Sequence, residues 1–297
     1  MIILLIIIIL FFTYQRLNKE IPILMYHRVA LIPNDRNTVS PLMFEQQLQY
    51  LKAHGYTTIS LQDLYYHFTI KSPLPPKSIF LTFDDGYEDN FTNALPLLKK
   101  YGMTATVCII SNWIGKENDW EQYNGKPHCR TMDLSQLQEW LKQGMSICAH
   151  TANHPFLSKL DNEEILHELI NCKNTLEEQL HIPIEFLCYP YGDFDDRVKM
   201  MANQVGYKAA LGIFKNTHFW KRDLLSLKRV VISSRQPLWE FAFKVSSLHM
   251  LFIGMRILEY RIKQYRNLLK SQCEKSYIFF KTYKTKPQRQ REKRKDR

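Results

Sequence analysis

Two adjacent carboxylates are the first residues here that could do chemistry. Thr82-Phe83-Asp84-Asp85-Gly86 closes the apolar run Ser78–Phe83, which reads as a strand. Neighbouring ionised carboxylates repel, so the pair is costly unless something neutralises it. A metal ion would do so through one carboxylate and leave the other as a base, although Asp-Asp-Gly is also common in solvated turns. A second segment, His150-Thr151-Ala152-Asn153-His154-Pro155, follows the apolar run Met145–Ala149. Two histidines four apart suit one metal if the segment turns helically. A lone HxxxH pair says little; joined to Asp-Asp at another strand end, it says much more. Two further segments share that placement. In Tyr189-Pro190-Tyr191-Gly192-Asp193, Pro and Gly set a rigid turn that can present a backbone N–H. Tyr26-His27-Arg28 follows the first apolar run, and His27 gains interest from this company.

The elements that must carry these residues alternate. Strands are expected at Ile21–Tyr26, Tyr56–Ser60, Ser78–Phe83, Thr104–Ile110, Met145–Ala149, Ile184–Tyr189, Lys208–Ile213 and Arg229–Ser233. Helical spacing marks Pro41–His54, Asn90–Tyr101, Leu134–Lys142, Asp161–Leu180 and Phe194–Val205, several of them closed by glycine. Strands alternating with helices imply a parallel sheet or barrel, in which reactive residues gather just past the strands' C-terminal ends. The segments above all lie there.

Composition divides the chain. Of a net charge of +11, residues 1–236 contribute none, with 24 Lys and Arg against 24 Asp and Glu, while residues 237–297 carry 16 against five. A neutral body with a basic tail suggests an anionic partner, a membrane surface or a nucleic acid. The six cysteines form no CxxC pair, and Cys108, Cys148 and Cys188 fall in apolar runs as small buried hydrophobes. Met1–Phe12 is almost pure Ile, Leu and Phe, without the basic lead or small-residue cleavage site of a signal peptide, and reads as an uncleaved anchor or a buried first strand. Within Pro237–Lys270, Phe241, Val245, Leu248, Phe252 and Met255 have helical spacing. That stretch reads as an interfacial amphipathic helix or as a helix covering the body.

The motifs Thr82–Gly86, His150-Thr151-x-x-His154-Pro155 and Tyr189–Gly192 resemble those of the polysaccharide deacetylase (NodB-homology) family. Gly144–Thr151 and Gly206–Ala210 are similar too, so the resemblance spans roughly residues 21–235. It implies a distorted (β/α)-barrel of about seven strands over residues 21–236. An N-terminal anchor would occupy residues 1–20, an amphipathic extension 237–280 and a basic tail 281–297. It implies a divalent metal, Zn2+ before Co2+, Ni2+ or Fe2+, held by Asp85, His150 and His154. Asp84 matches the family's catalytic base, and Tyr191 the residue whose backbone N–H helps bind the oxyanion.

Two departures stand out. Cys188 occupies the place of the usual arginine before the Tyr-Pro-Tyr-Gly turn, and the late Leu-x-His motif that supplies the general acid is missing. With Tyr26-His27 early in the chain, the order resembles the branch of poly-β-1,6-N-acetylglucosamine deacetylases, which assigns the acid to His27. Arg229 is the candidate to replace the missing arginine beside Asp84. The resemblance thus implies a metal-dependent hydrolase that removes N-acetyl groups from amino sugars of a polysaccharide or a membrane glycolipid. The protein would be associated with a bacterial inner membrane through its two ends, with no nucleic-acid partner. The rivals are an inactive carbohydrate-binding member of the same fold and a non-haem iron oxygenase, whose metal triad is also two His and a carboxylate.

Overall fold

The computed structural model describes residues 21–118, 129–213, 223–246 and 248. The expected anchor, most of the extension and the basic tail lie outside them. The chain divides into two units, Met1–Ser247 and Leu248–Arg297, and the description below is of the first.

Seven parallel strands close into a barrel. They are β1 (Ile23–Tyr26), β5 (Ser78–Phe83), β6 (Thr106–Ile109), β7 (Ser146–Ala149), β8 (Phe186–Cys188), β9 (Ala209–Ile213) and β10 (Leu227–Val231). The order runs β1-β10-β9-β8-β7-β6-β5, and β5 pairs back onto β1 with Ile23 opposite Phe80. A two-residue β4 (Thr57–Thr58) pairs with the start of β5, and β2 (Arg28–Val29) pairs with β3 (Thr38–Val39) in a separate small sheet. The expected strand at Ser78–Phe83 matches its span; that at Arg229–Ser233 keeps its length but starts two residues earlier, at Leu227, and the others are shorter than expected.

Strand parity explains the barrel's two apolar layers. Successive side chains of a strand point to opposite faces, and strands buried on both faces read as continuous apolar runs. One parity, including Phe80, Cys108, Cys148, Phe186, Cys188, Leu211 and Leu227, packs in the interior. The other, including Leu81, Phe83, Val107, Ile147, Leu187, Ala210 and Val230, packs outward against the helices. Those helices are α1 (Pro41–Ala53), α3 (Leu95–Tyr101), α4 (Leu134–Lys142), α5 (Asn162–Leu180), α6 (Asp196–Val205) and α7 (Leu238–Val245). Capping boxes start α4 and α5 at Asp133 and Asp161, each bonding the backbone three residues on.

Three local results differ from the sequence reading. Helix α2 (Leu61–Ile70) was not expected. Its Leu61 and Leu64 join the interior layer with Ile23, Phe80 and Leu227, all near strand starts, so it plugs the barrel's N-terminal end. The expected helix Asn90–Tyr101 opens as a π-turn, Asn90–Ala94, before α3. Finally, the covering alternative describes Leu238–Val245. Phe241 and Val245 of α7 are buried, and Tyr56 Oη donates to the Val245 carbonyl at 3.1 Å. Among the described residues no helix is long and apolar enough to cross a membrane.

Candidate metal centre and active site

Parity continues past the end of β5 and separates the two aspartates. Asp84 keeps the inward parity of Phe80 and Thr82 and enters the top of the interior. Asp85 turns away with a left-handed backbone, φ 71°. Gly86 follows at φ 70°, where a β-carbon would come within 2.8 Å of Ile109 Cδ1; the tight turn therefore requires glycine.

Asp85 meets both histidines. Its Oδ1 lies 3.3 Å from His150 Nε2 and 3.3 Å from His154 Nε2. All three residues are buried, and their ligand atoms lie within 4.8 Å of one another. Oδ1 is shielded from solvent without a well-formed hydrogen bond, which is costly unless a cation sits there. Ligand atoms around a tetrahedral ion with bonds of about 2.0–2.1 Å stand about 3.3–3.4 Å apart. One carboxylate and two imidazoles at this spacing fit such an ion. His150 is also set for the role: its Nδ1 lies 2.8 Å from the Cys188 carbonyl, which can only accept. Nδ1 therefore carries a proton, which leaves Nε2 as the nitrogen facing Asp85. Burial opposes a charge on this ring, but without a metal the contact to Asp85 holds its pKa well above the ordinary imidazole value, so an ion would displace the Nε2 proton. Burial holds His154 below the ordinary imidazole range, in the neutral form that ligates. Burial opposes the charge on Asp85, but its contacts to His150 and His154 hold the carboxyl well below the usual range.

The histidine segment does not turn helically. It is an irregular loop with Thr151 at φ 65° and His154 at φ 63°. Continued pairing with the neighbouring strand end fixes it: Ser111 and Asn112 N–H donate to the Thr151 and Ala152 carbonyls. From outside, Glu168 of α5 accepts from Asn153 N–H at 2.8 Å and from its side-chain amide at 2.7 Å. Thr151 Oγ1 accepts from His154 N–H.

Asp84 has a different partner. Arg229 of β10 grips it with both ends of its fork, Nη1 to Oδ1 at 2.6 Å and Nη2 to Oδ2 at 2.9 Å. Arg229 is fully buried and also donates to Thr82 Oγ1 and the Gly212 carbonyl. Burial alone would raise the Asp84 pKa. The charge of Arg229, aided by His150 and His27, more than offsets it, and the carboxyl is lowered to about 2. Cys188 stands beside this pair, Sγ 3.5 Å from Asp84 Oδ1. Asp84, Cys108 and Cys188 also lie close enough together to suggest a metal group. The fit is poor: Arg229 already engages both oxygens of Asp84, and burial pushes both thiols up, keeping them neutral.

The remaining expected residues reach the same end of the barrel. His27 lies between β1 and β2, near enough for its charge to favour ionisation of Asp84 and Asp85. Tyr191 takes φ 57°, and its ring packs edge-on to His154, with centroids 4.5 Å apart, and stacks on Phe156 at 4.0 Å. Both aromatics are partly exposed and form the rim. At Gly192, φ 62°, a β-carbon would overlap Ile213, so the turn packs directly on the end of β9. The structure thus gathers Asp84, Asp85, His150, His154, Arg229, His27 and Tyr191 at one mouth. The sequence reading missed Thr82, Glu168 and Phe156. Glu168 did leave a signal, a carboxylate on the apolar stripe between Ile165 and Cys172.

Comparison with known proteins agrees with this geometry. Residues 71–210 match the sequence model of a family described as polysaccharide deacetylase. A Bacillus subtilis protein assigned to the polysaccharide deacetylases, YxkH, is 29% identical over 216 residues, 72% of each chain. A poly-β-1,6-N-acetyl-D-glucosamine N-deacetylase of Staphylococcus aureus is 28% identical over 208 residues, 66% of this chain and 68% of that one. Among solved structures, the Streptococcus pyogenes deacetylase PplD, in complex with acetate, superposes with a TM-score of 0.64 at 28% identity, covering 76% of this chain and 98% of that one. Barrel, strand-end motifs and relatives agree: the chain is similar to the polysaccharide deacetylases, with the family model matching residues 71–210.

Proposed function

We propose that this chain is a metal-dependent hydrolase that removes N-acetyl groups from the amino sugars of a polysaccharide. One observation carries the reading: Asp85, His150 and His154 converge at metal-ligand spacing beside a second carboxylate held ionised by Arg229. A divalent ion held by those three residues, Zn2+ by the donor set, would supply Lewis acidity that polarises the amide carbonyl and acidifies water. Asp84 is the base that takes the proton of the attacking water. Its bidentate contact fixes the carboxylate's orientation and keeps it ionised at neutral pH. The Tyr191 backbone N–H, presented by the left-handed turn, stabilises the developing oxyanion, a contribution of about 3–4 kcal/mol per donor in other enzymes. His27 protonates the departing amine. Free amine and acetate leave.

The relatives favour a polymer over a lipid-embedded glycolipid, since the Staphylococcus aureus protein is named for poly-β-1,6-N-acetyl-D-glucosamine. The apolar Met1–Phe12 and the basic residues beyond 248 support attachment to a bacterial membrane surface.

The test is acetate release from β-1,6-linked N-acetylglucosamine oligomers and from a detergent-dispersed N-acetylated glycolipid, with and without chelator. Release from the oligomers that chelation abolishes and Zn2+ restores is the expected result. Chelator-insensitive release would sink the metal reading, and faster turnover of the glycolipid would sink the polymer reading.

A further inference from the structure

The loop that carries His27 is held by another segment of the chain, through its backbone. Asn90 Nδ2 donates to the His27 carbonyl at 2.9 Å. Asp89 Oδ1 accepts from Val29 N–H at 2.8 Å, and its Oδ2 accepts from Arg28 Nε at 3.0 Å. Asn93 Nδ2 donates to the Val29 carbonyl at 2.8 Å. Three consecutive residues, 27–29, are thus fixed by three side chains from 60 or more positions away in sequence.

The fixing segment is the continuation of the metal-centre turn. It follows Asp84-Asp85-Gly86 and begins the π-turn Asn90–Ala94, a deviation found disproportionately at functional sites. It is itself anchored: Met132 N–H donates to the Gly86 carbonyl and Glu88 N–H to the Arg130 carbonyl. Arg28 lies over the Tyr87 ring at 4.7 Å. Asn90 is fully buried, and no solvent competes for its amide. The fixation runs through the backbone, and His27 Nδ1 makes no hydrogen bond among the described residues. The ring stays available for proton transfer while its backbone is set in place.

We propose that Asn90, supported by Asp89, is a positioning residue for His27. A rigid stretch of seven residues, 84–90, thereby fixes base, metal ligand and acid relative to one another. The choice of asparagine follows. An amide donates to the His27 carbonyl, whereas the isosteric aspartate would set acceptor against acceptor. This proposal rests on the reading of His27 as the general acid.

A double-mutant cycle tests it, with kcat, KM and bound metal measured for Asn90→Ala, His27→Ala and the pair. Misplacing a reacting group by about 1 Å costs about 100-fold, and losing an acid outright costs about 100- to 10,000-fold. We expect Asn90→Ala to lower kcat by about 10- to 100-fold, with KM and metal content within about twofold of wild type. In the His27→Ala background the same substitution should cost less than about threefold, because there is no acid left to misplace. Circular dichroism and a melting temperature that stays above the assay temperature guard the Asn90→Ala result against a folding defect, and Asn90→Ser, too short to reach the His27 carbonyl, should reproduce the loss. If His27→Ala is slow but the Asn90→Ala loss multiplies with it, or is absent, the positioning role is overturned and the acid assignment stands. If His27→Ala keeps full activity, both are overturned.

Discussion

The two ends of the barrel are built on opposite principles. At the N-terminal end, α2 closes the interior with Leu61 and Leu64 against Ile23, Phe80 and Leu227, an apolar plug. At the C-terminal end, buried Asp84, Asp85, His150, His154 and Arg229 crowd one mouth. Four non-glycine residues there, Asp85, Thr151, His154 and Tyr191, take left-handed backbones. Such conformations cost of order 1–3 kcal/mol each and persist only where surrounding structure over-determines them. One end of the barrel supplies stability, and the other uses it to hold chemistry in place.

Substitutions at the two ends should therefore fail in different ways. The largest effect belongs to the mouth: Asp84→Asn should lower kcat by about 1,000-fold while the protein still binds Zn2+. Activity within tenfold of wild type would remove Asp84 as the base. Next comes Arg229→Met. It leaves Asp84 buried without its partner and should cost about 3–5 kcal/mol of stability, read as a drop of order 10 °C in melting temperature. A melting temperature unchanged by that substitution would show that the ion pair is dispensable. At the plug, Leu64→Ala should cost about 2–5 kcal/mol and yet leave kcat and KM unchanged well below the melting temperature. A kcat loss there would mean that the two ends are coupled.

The smallest effect is electrostatic. Asp84 titrates below the ordinary carboxylate value of 3.8. Its ionisation therefore adds stability that is present above about pH 4 and lost as the pH falls toward 2, about 2 kcal/mol in all. Denaturant titrations of wild type and Asp84→Asn should show a stability gap that narrows by about that amount between pH 6 and pH 2.5. A gap independent of pH would contradict the role given to Arg229.

Much of the mouth was legible in the sequence because its residues lie just past strands. Strand ends are readable wherever an apolar run meets polar residues, as at Phe83-Asp84 and Ala149-His150. Arg229 was nameable only through the oddity of Cys188; strand parity, which puts Asp84, Cys188 and Arg229 in one interior, is what joins them. A helical turn was only one way for His150 and His154 to reach one metal; a four-residue spacing also fits a loop pinned by a neighbouring strand end. Helix α2 escaped because Leu61–Ile70 mixes aromatics with β-branched residues, and only its packing against the strand starts explains it. The clamp on residues 27–29 was invisible, since asparagine-to-carbonyl bonds across about 60 residues leave no pattern in the chain.

The bonds from Ser111 and Asn112 to Thr151 and Ala152 have a consequence for how this protein can vary. They make the spacing of the two histidines a matter of counting residues along a ladder rather than of side-chain reach. Segment 151–153 should therefore tolerate changes of residue identity far better than changes of length. A single inserted or deleted residue would move His154 out of register with His150, and no rotamer could bring it back.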